Sequence, residues 1–305
     1  MPNDRIVGYY DLKHAPITFD FCHFLAAAAA NAQSQGQKTF DLVILADRFR
    51  NATVRESNYT PVERHWRLWN LHVELAKIVP QIENLTVART LPQSIAKLTY
   101  PLHYHPIKNP EVPYDVRTVT QMHKAGMDVQ IFRPSEAALL AADRLLAKTG
   151  PKFVTITLRK AAYDANRNSR LSEWYAFSRV LNSRGFATVI IPDQDDVLSD
   201  RAINQFDWTV IDVAAMSVDL RLALYTKATT NYVTNNGMVG LFMYSKVPFI
   251  WFSVLVDGSP VASRAYYERQ GLSFSGKYPW LADNQRMIWE PDILGHLVAS
   301  LPFES

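Results

Sequence analysis

The sequence predicts an α/β chain of two doubly wound halves, and three observations carry that expectation. Short apolar runs alternate with segments of helical periodicity on both sides of Gly150-Pro151. The chain has 305 residues, about twice the length of an ordinary domain. In the second half, polar residues follow directly on the apolar runs, which is where open parallel sheets hold their ligands.

The first half opens with an apolar run over residues 6–10, read as a strand, and a loop over 11–16. A helix is expected between Thr18 and Gly36, then a strand over 41–46. Strand, helix, strand in about forty residues is the unit of a parallel sheet. Thr60-Pro61-Val62-Glu63 combines a capping Thr, a Pro at the first helical position and a Glu three residues on. That helix should run to about Val79, before Pro80. Residues 99–118 carry Pro101, Pro106, Pro110 and Pro113 around His103, Tyr104 and His105. They read as a long loop, a feature more often functional than accidental. A helix over 134–148 leads to Gly150-Pro151, which sets the expected domains at 1–150 and 151–305.

The second half is more regular. Strands are expected at 153–158, 187–192, 208–213, 231–234 and 247–252, with helices at 171–183, 218–227 and 237–245. A terminal helix should cover 292–301.

Hydrophobic residues at 48% and charged residues at 20% suit a globular protein with a sizeable core. Aromatics at 12% serve such a core or stack on sugars and bases. The net charge of +3 is too small for a nucleic-acid partner. The excess lies in the first half, where Arg48, Arg50, Arg55, Arg64 and Arg67 crowd together. Such a patch is a solvated face, or it meets an acidic acceptor or, as a peripheral contact, an anionic membrane. Cys22 stands alone, which excludes an intrachain disulfide and a cysteine zinc site. No signal-peptide plan opens the chain, and no apolar run approaches the roughly 18 residues of a spanning helix. A cytoplasmic location follows as the expectation, and the sequons at Asn51, Asn58 and Asn84 read as coincidental. A Gly-rich dinucleotide fingerprint, a phosphate loop ending Gly-Lys-Ser/Thr, His-Glu-x-x-His and Gly-x-Ser-x-Gly are all missing. His103 and His105 lack a third metal ligand, and His65 and His72 edge a helix face with Trp66 and Trp69.

Three constellations place polar groups at expected strand ends. Thr157-Leu158-Arg159 runs into Arg167-Asn168-Ser169-Arg170. Guanidinium groups match phosphate oxygens two at a time, so this loop suits a diphosphate, or else carries ordinary salt bridges. The run 190–196 ends in Asp193, Asp195 and Asp196. These acids accept hydrogen bonds from a base or ribose, cap a helix, or, as Asp193-x-Asp195, form a loose metal-binding pair. Thr234-Asn235-Asn236-Gly237 precedes a helix, whose free N–H groups favour an anion. Glycine at 237 would permit close approach, and the same residues make a good turn and cap.

Together, TITLRKAAYDANRNS, VIIPDQDD and LRLALYTKATTNYVTNNGMVGLFMY resemble the donor-binding domain of GT-B glycosyltransferases. Among these they are most similar to the bacterial fucosyltransferase-like branch. The resemblance covers about residues 150–250 and implies two Rossmann-like domains facing a cleft. It implies transfer of a sugar from a nucleotide-diphosphate donor to a glycan or lipid-linked acceptor, as in surface polysaccharide synthesis. It further implies that Arg159 contacts the donor diphosphate and that Asn235, Asn236 and Gly237 face the nucleotide, with Arg167, Asn168, Ser169 and Asp193 completing the donor site. Such enzymes commonly need no metal or other cofactor, so Arg159, then Arg167, is expected to stabilise the leaving diphosphate. Asp11 and His14, in the loop after the first strand, are the expected general bases, Asp11 first. A sugar-nucleotide epimerase of the same architecture and a non-catalytic nucleotide or polysaccharide-binding protein are the alternatives.

Overall fold

The protein, seen here as a computed structural model, is described over residues 5–46, 59–90, 92–197 and 202–301. Arg48, Arg50, Arg55 and the sequons at Asn51 and Asn58 lie outside the described residues. Two compact units divide the chain: Met1–Arg133 with Met243–Ser245, and Pro134–Phe242 with Lys246–Ser305.

Among the described residues the first unit holds four strands, β1 (Val7–Asp11), β2 (Phe40–Leu45), β3 (Ile82–Ala88) and β4 (Thr99–Tyr100). They are ordered β3-β2-β1-β4 with every pairing parallel. The last two strands were not expected. β3 is an edge strand with half-exposed positions, so it lacks the apolar alternation by which buried strands are read. β4 is two residues long and ends at Pro101.

Helix α1 (Phe21–Ser34) contains the run Ala26–Ala30, all of it buried. Alanine is the strongest helix former, and its small side chain lets neighbouring elements approach on every side. The helix stops where Gly36 turns left-handed (φ 72°) and the N–H of Gln37 returns to the carbonyl of Ala32. α2 (Pro61–Arg67) has the full capping box: Glu63 N–H donates to Thr60 Oγ1 at 3.2 Å, and Thr60 N–H to Glu63 Oε2 at 2.6 Å. The expected continuous helix is interrupted by a π-turn, Leu68–His72, before α3 (Val73–Lys77). α4 (Val116–Lys124) is capped by Asp115, whose Oδ1 accepts the N–H of Arg117 at 2.9 Å. The segment Met243–Ser245 joins this unit through Tyr244, whose carbonyl accepts Phe132 N–H at 2.9 Å and whose hydroxyl meets His23 Nδ1 at 2.6 Å.

The second unit begins before the expected boundary at 150/151. α5 (Glu136–Leu146) belongs to it, because Asp143 pairs with Lys227 at 2.7 Å and Ser135 Oγ donates to Asp219 at 2.6 Å. Its strands are β5 (Phe153–Thr157), β6 (Ala187–Ile191), β7 (Thr209–Val210), β8 (Thr230–Val233), β9 (Phe249–Trp251) and β10 (Gln285–Met287). Its remaining helices are α6 (Leu171–Ser183), α7 (Gln194–Val197), α8 (Val213–Met216), α9 (Val218–Lys227), α10 (Val239–Met243), α11 (Arg264–Arg269) and α12 (Leu294–Ala299). The sheet is parallel, ordered β10-β9-β8-β5-β6-β7. Counted from its own first strand this is the 3-2-1-4-5-6 order of a Rossmann domain. Trp174, Phe177 and Leu181 of α6 lie over Val154, Ile156, Ile190, Tyr232 and Ile250 of the sheet, all buried. The helix expected over 237–245 is only the five residues of α10. The 208–213 run forms a two-residue strand before the chain turns into α8.

His72 is fully buried in the π-turn, stacked on Phe21 at 4.4 Å, with Nε2 at 3.1 Å from the carbonyl of Thr18. Burial holds its pKa down at about 3, and the nearby Arg67 charge adds to this. Unfolded, the same ring takes a proton near pH 6.5. Stability from this site is therefore complete above pH 6.5 and falls as pH drops from there toward 3. Melting temperatures across that range should decline for the wild type and decline less for His72→Gln. Parallel profiles for the two proteins would remove His72 as a source of acid sensitivity.

Candidate functional site

The second sheet reverses its winding between β5 and β8, and a crevice opens outside the carboxyl ends of strands at such a point. Two segments meet there: the loop from Arg159 to Ser169 after β5, and Thr234-Asn235-Asn236-Gly237 after β8. Ser169 stitches them together, since its Oγ accepts Arg159 N–H at 2.8 Å and lies 3.0 Å from Thr234 Oγ1.

Arg159, expected to contact the donor diphosphate, is buried at 4% exposure. Its guanidinium donates to the carbonyls of Asp164 at 3.1 Å and Tyr163 at 2.5 Å and to the Oδ1 of Asn168. Asn168 is likewise committed, bonding both the N–H and the carbonyl of Ala161 at 3.0 and 3.1 Å. A buried guanidinium must be matched by acceptors, and this loop curls back to supply them.

Arg167 is placed differently. Its Nε pairs with Asp164 Oδ2 at 2.8 Å, and its Nη1 donates to Asn235 Oδ1 at 3.5 Å, across the reversal point. Among the described residues its Nη2 makes no hydrogen bond. The side chain is 11% exposed, so this donor sits in a screened setting where a charge–anion contact is worth more than in water. Asp164 adopts the left-handed conformation (φ 53°), which Asp tolerates better than most residues, and Ser259 Oγ donates to its Oδ2 at 2.5 Å.

After β8, Asn235 is buried and Gly237 exposed. Asn236 Oδ1 is buried with no partner among the described residues. α10 is too short to carry much dipole. Asp193 lies beside the loop, with Oδ2 accepting Lys160 N–H at 3.2 Å and Oδ1 accepting Gln194 N–H at 2.7 Å. Asp196 is buried and pairs with Lys160 Nζ at 3.0 Å. Both described acids thus close the turn into α7. Arg170 is 59% exposed and reaches Asp292 at 3.6 Å.

In the first unit the equivalent reversal lies between β1 and β4. Asp11 ends β1, fully buried, with Oδ1 accepting Lys13 N–H and Oδ2 accepting the Tyr104 hydroxyl, both at 2.9 Å. Its carbonyl takes the N–H groups of His14 and Ala15 at 2.9 Å. His14 is half-buried. His105 does local work, its Nδ1 accepting the N–H groups of Ile107 and Lys108 at 3.2 Å. Among the described residues no group of three His, Cys, Asp or Glu is arranged to hold a metal.

Arg159, Arg167, Asn168, Ser169 and Asn235 therefore form one hydrogen-bonded cluster, and Asp193 adjoins it. Sequence reasoning missed Asp164, Ser259 and Tyr267, whose hydroxyl accepts Asn235 Nδ2 at 3.2 Å. No periodicity or motif marks them. Only the folded loops bring them to Arg167.

No protein-family profile matches the sequence, and no curated protein matches it. Solved structures do match. A family 9 glycosyl transferase from Veillonella parvula aligns at TM-score 0.55 and 10% identity, over 84% of this chain and 82% of that one. The ADP-heptose LPS heptosyltransferase II of E. coli aligns at TM-score 0.52 and 9% identity, over 93% and 90% of the two chains. The fucosyltransferase NodZ from Bradyrhizobium aligns only at TM-score 0.33 and 13% identity, over 81% and 94% of the two chains. The likeness is one of fold: the chain has the GT-B architecture.

Replacing Arg159 by Ala should destabilise the protein by about 2–4 kcal/mol, since several charge-assisted hydrogen bonds vanish and buried carbonyls lose their donors. Arg159→Lys should not restore the loss, because one ammonium cannot span acceptors arranged for a planar fork. Urea titration of the three proteins measures this. An Ala variant as stable as wild type would mean that the loop does not depend on Arg159.

Proposed function

We propose that the chain is a glycosyltransferase that moves a sugar from a nucleotide-diphosphate donor to a hydroxyl acceptor. The observation that carries this reading is Arg167, a screened guanidinium with an uncommitted donor at the winding reversal of a Rossmann sheet. The GT-B architecture supplies the context. In the reaction the acceptor oxygen bonds to the anomeric carbon, the bond from that carbon to the diphosphate oxygen breaks, and the diphosphate leaves with the electron pair. Arg167 faces the charge that develops on that leaving group, where a fixed donor lowers the barrier most. Arg159 holds the loop that presents Arg167. Ser169, Asn168, Asn235, Asn236, Gly237 and Asp193 form the walls of the donor site.

The acceptor's proton needs a base. Asp11 is fully buried and both its oxygens are engaged, so it orders the loop after β1. His14 in that loop, half-exposed, takes the role of base. The first unit thus serves the acceptor and the second unit the donor. The loop after β4 exposes Leu102 (64%), Ile107 (73%) and Lys108, a combination that suits a lipid-linked glycan acceptor at a membrane surface. Among the described residues no helix is long and apolar enough to cross a membrane, and we place the enzyme in the cytoplasm, in surface polysaccharide synthesis. Because Arg167 supplies the positive charge and Asp193 is bound to backbone N–H groups, transfer requires no divalent cation.

A thermal-shift screen against GDP, UDP, CMP, ADP and dTDP sugars identifies the donor, since a ligand at a hundred times its Kd adds about 2.7 kcal/mol. With that donor, Arg167→Ala should lower kcat by about 10²–10³-fold, the loss seen when a donor to a developing anion is removed. Arg167→Lys should recover part of it, and chelator should leave the wild-type rate unchanged. Full activity in Arg167→Ala, or loss with chelator and recovery with Mn²⁺, would end this assignment. His14→Gln should lower kcat while leaving donor binding intact.

A further inference from the structure

Arg167 is gripped from two sides by residues whose own orientation is set elsewhere. On one side stands Asp164, whose carboxylate is held by Ser259 at 2.5 Å. On the other stands Asn235, presenting Oδ1 to Arg167 Nη1 at 3.5 Å. An asparagine amide has two ends of nearly equal shape and opposite polarity. Flipped, it would turn N–H donors on a guanidinium that has only donors to offer. Two acceptors oppose the flip, the carbonyl of Val254 at 2.9 Å and the hydroxyl of Tyr267 at 3.2 Å, both taking Asn235 Nδ2.

Tyr267 has little freedom to move. It is 3% exposed, and its ring lies edge-on to Trp289 at 5.2 Å, Tyr266 at 5.3 Å and Trp251 at 6.4 Å. Its helix, α11, is itself capped by Ser263, whose Oγ accepts the Tyr266 N–H at 3.3 Å. Burial pushes the phenol pKa up, so the hydroxyl stays neutral, and it stands close enough to Arg167 to feel that charge.

We propose that Tyr267 is a positioning residue for Arg167: acting through the amide of Asn235, it sets the affinity of the donor site for a diphosphate. This rests on the reading of Arg167 as the diphosphate group, and it adds a determinant outside the loops at the sheet's reversal point. Tyr267 touches Asn235 rather than the ligand, so its effect must disappear when Asn235 has no amide to orient.

Inorganic pyrophosphate, titrated calorimetrically into the full chain, is the probe. Tyr267→Phe keeps the ring and its packing and removes only the oxygen. It should weaken pyrophosphate binding about tenfold, within the range of coupled neighbours, with the melting temperature close to wild type. In the Asn235→Ala background, where Arg167 is retained, the same substitution should change binding by less than about twofold. If Asn235→Ala does not fold, Asn235→Ser replaces it, since it also lacks a reversible amide. Equal weakening in both backgrounds, or unchanged binding in Tyr267→Phe, overturns the positioning role while leaving the diphosphate site in place. A wild-type protein that binds neither pyrophosphate nor any nucleoside diphosphate removes that site, and the role of Tyr267 with it.

Discussion

A guanidinium taken out of water at the end of β5 obliges the chain around it to provide acceptors. Arg159 finds them in the carbonyls of Tyr163 and Asp164 and in Asn168, all within the loop that follows it. That demand shapes the loop. To bring those oxygens inward, Asp164 turns left-handed, and the short 3-10 turn from Ala165 to Arg167 follows. Ser169 then returns to the strand end, where it meets both Arg159 N–H and Thr234. Arg167 faces Asn235 because the segment that carries it is closed in this way.

The two arginines thus divide one task. Arg159 commits its guanidinium to its own loop, while Arg167 reaches across to Asn235. The first unit shows the same division with acids and histidines. Asp11, fully buried, spends its oxygens on Lys13 N–H and Tyr104 and its carbonyl on the turn. His14, in the same turn, is half-buried. In both units the residue at the strand end builds the loop that follows it. Tyr9, stacked on Tyr104 at 4.9 Å, stiffens the first arrangement as Tyr267 stiffens the second.

Sequence reasoning reached some of this and missed the rest for identifiable reasons. β1, β2, β5, β6 and β8 are central strands with buried runs, and such runs are visible in one dimension. β3 and β10 lie at sheet edges, where half-exposed or polar residues such as Gln285 and Arg286 erase the pattern. Thr60 to Glu63 announced its capping box because both partners lie within four residues. The polar segments after β5, β6 and β8 were legible because each follows directly on an apolar run, but that the first and third meet follows only from the strand order. Which arginine is buried was not legible. Arg159 and Arg167 share one loop and one chemistry, and only the backbone path through Asp164 separates them. Ser259 and Tyr267 come from a distant stretch with no spacing that ties them to the site.

The assignment of Met243–Ser245 to the first unit bears on the order in which the protein is made. Chains leave the ribosome amino end first, and domains generally fold as units as they emerge. Here the leading unit is incomplete when residue 133 has been synthesised. The carbonyl that receives Phe132 N–H and the hydroxyl that meets His23 both belong to Tyr244, more than a hundred residues later in the sequence. The early half must therefore wait, with that part of its surface uncovered, until β5 through β8 have been translated. Folding of the first unit is thereby tied to synthesis as far as Tyr244, in a way that a simple tandem of two domains is not.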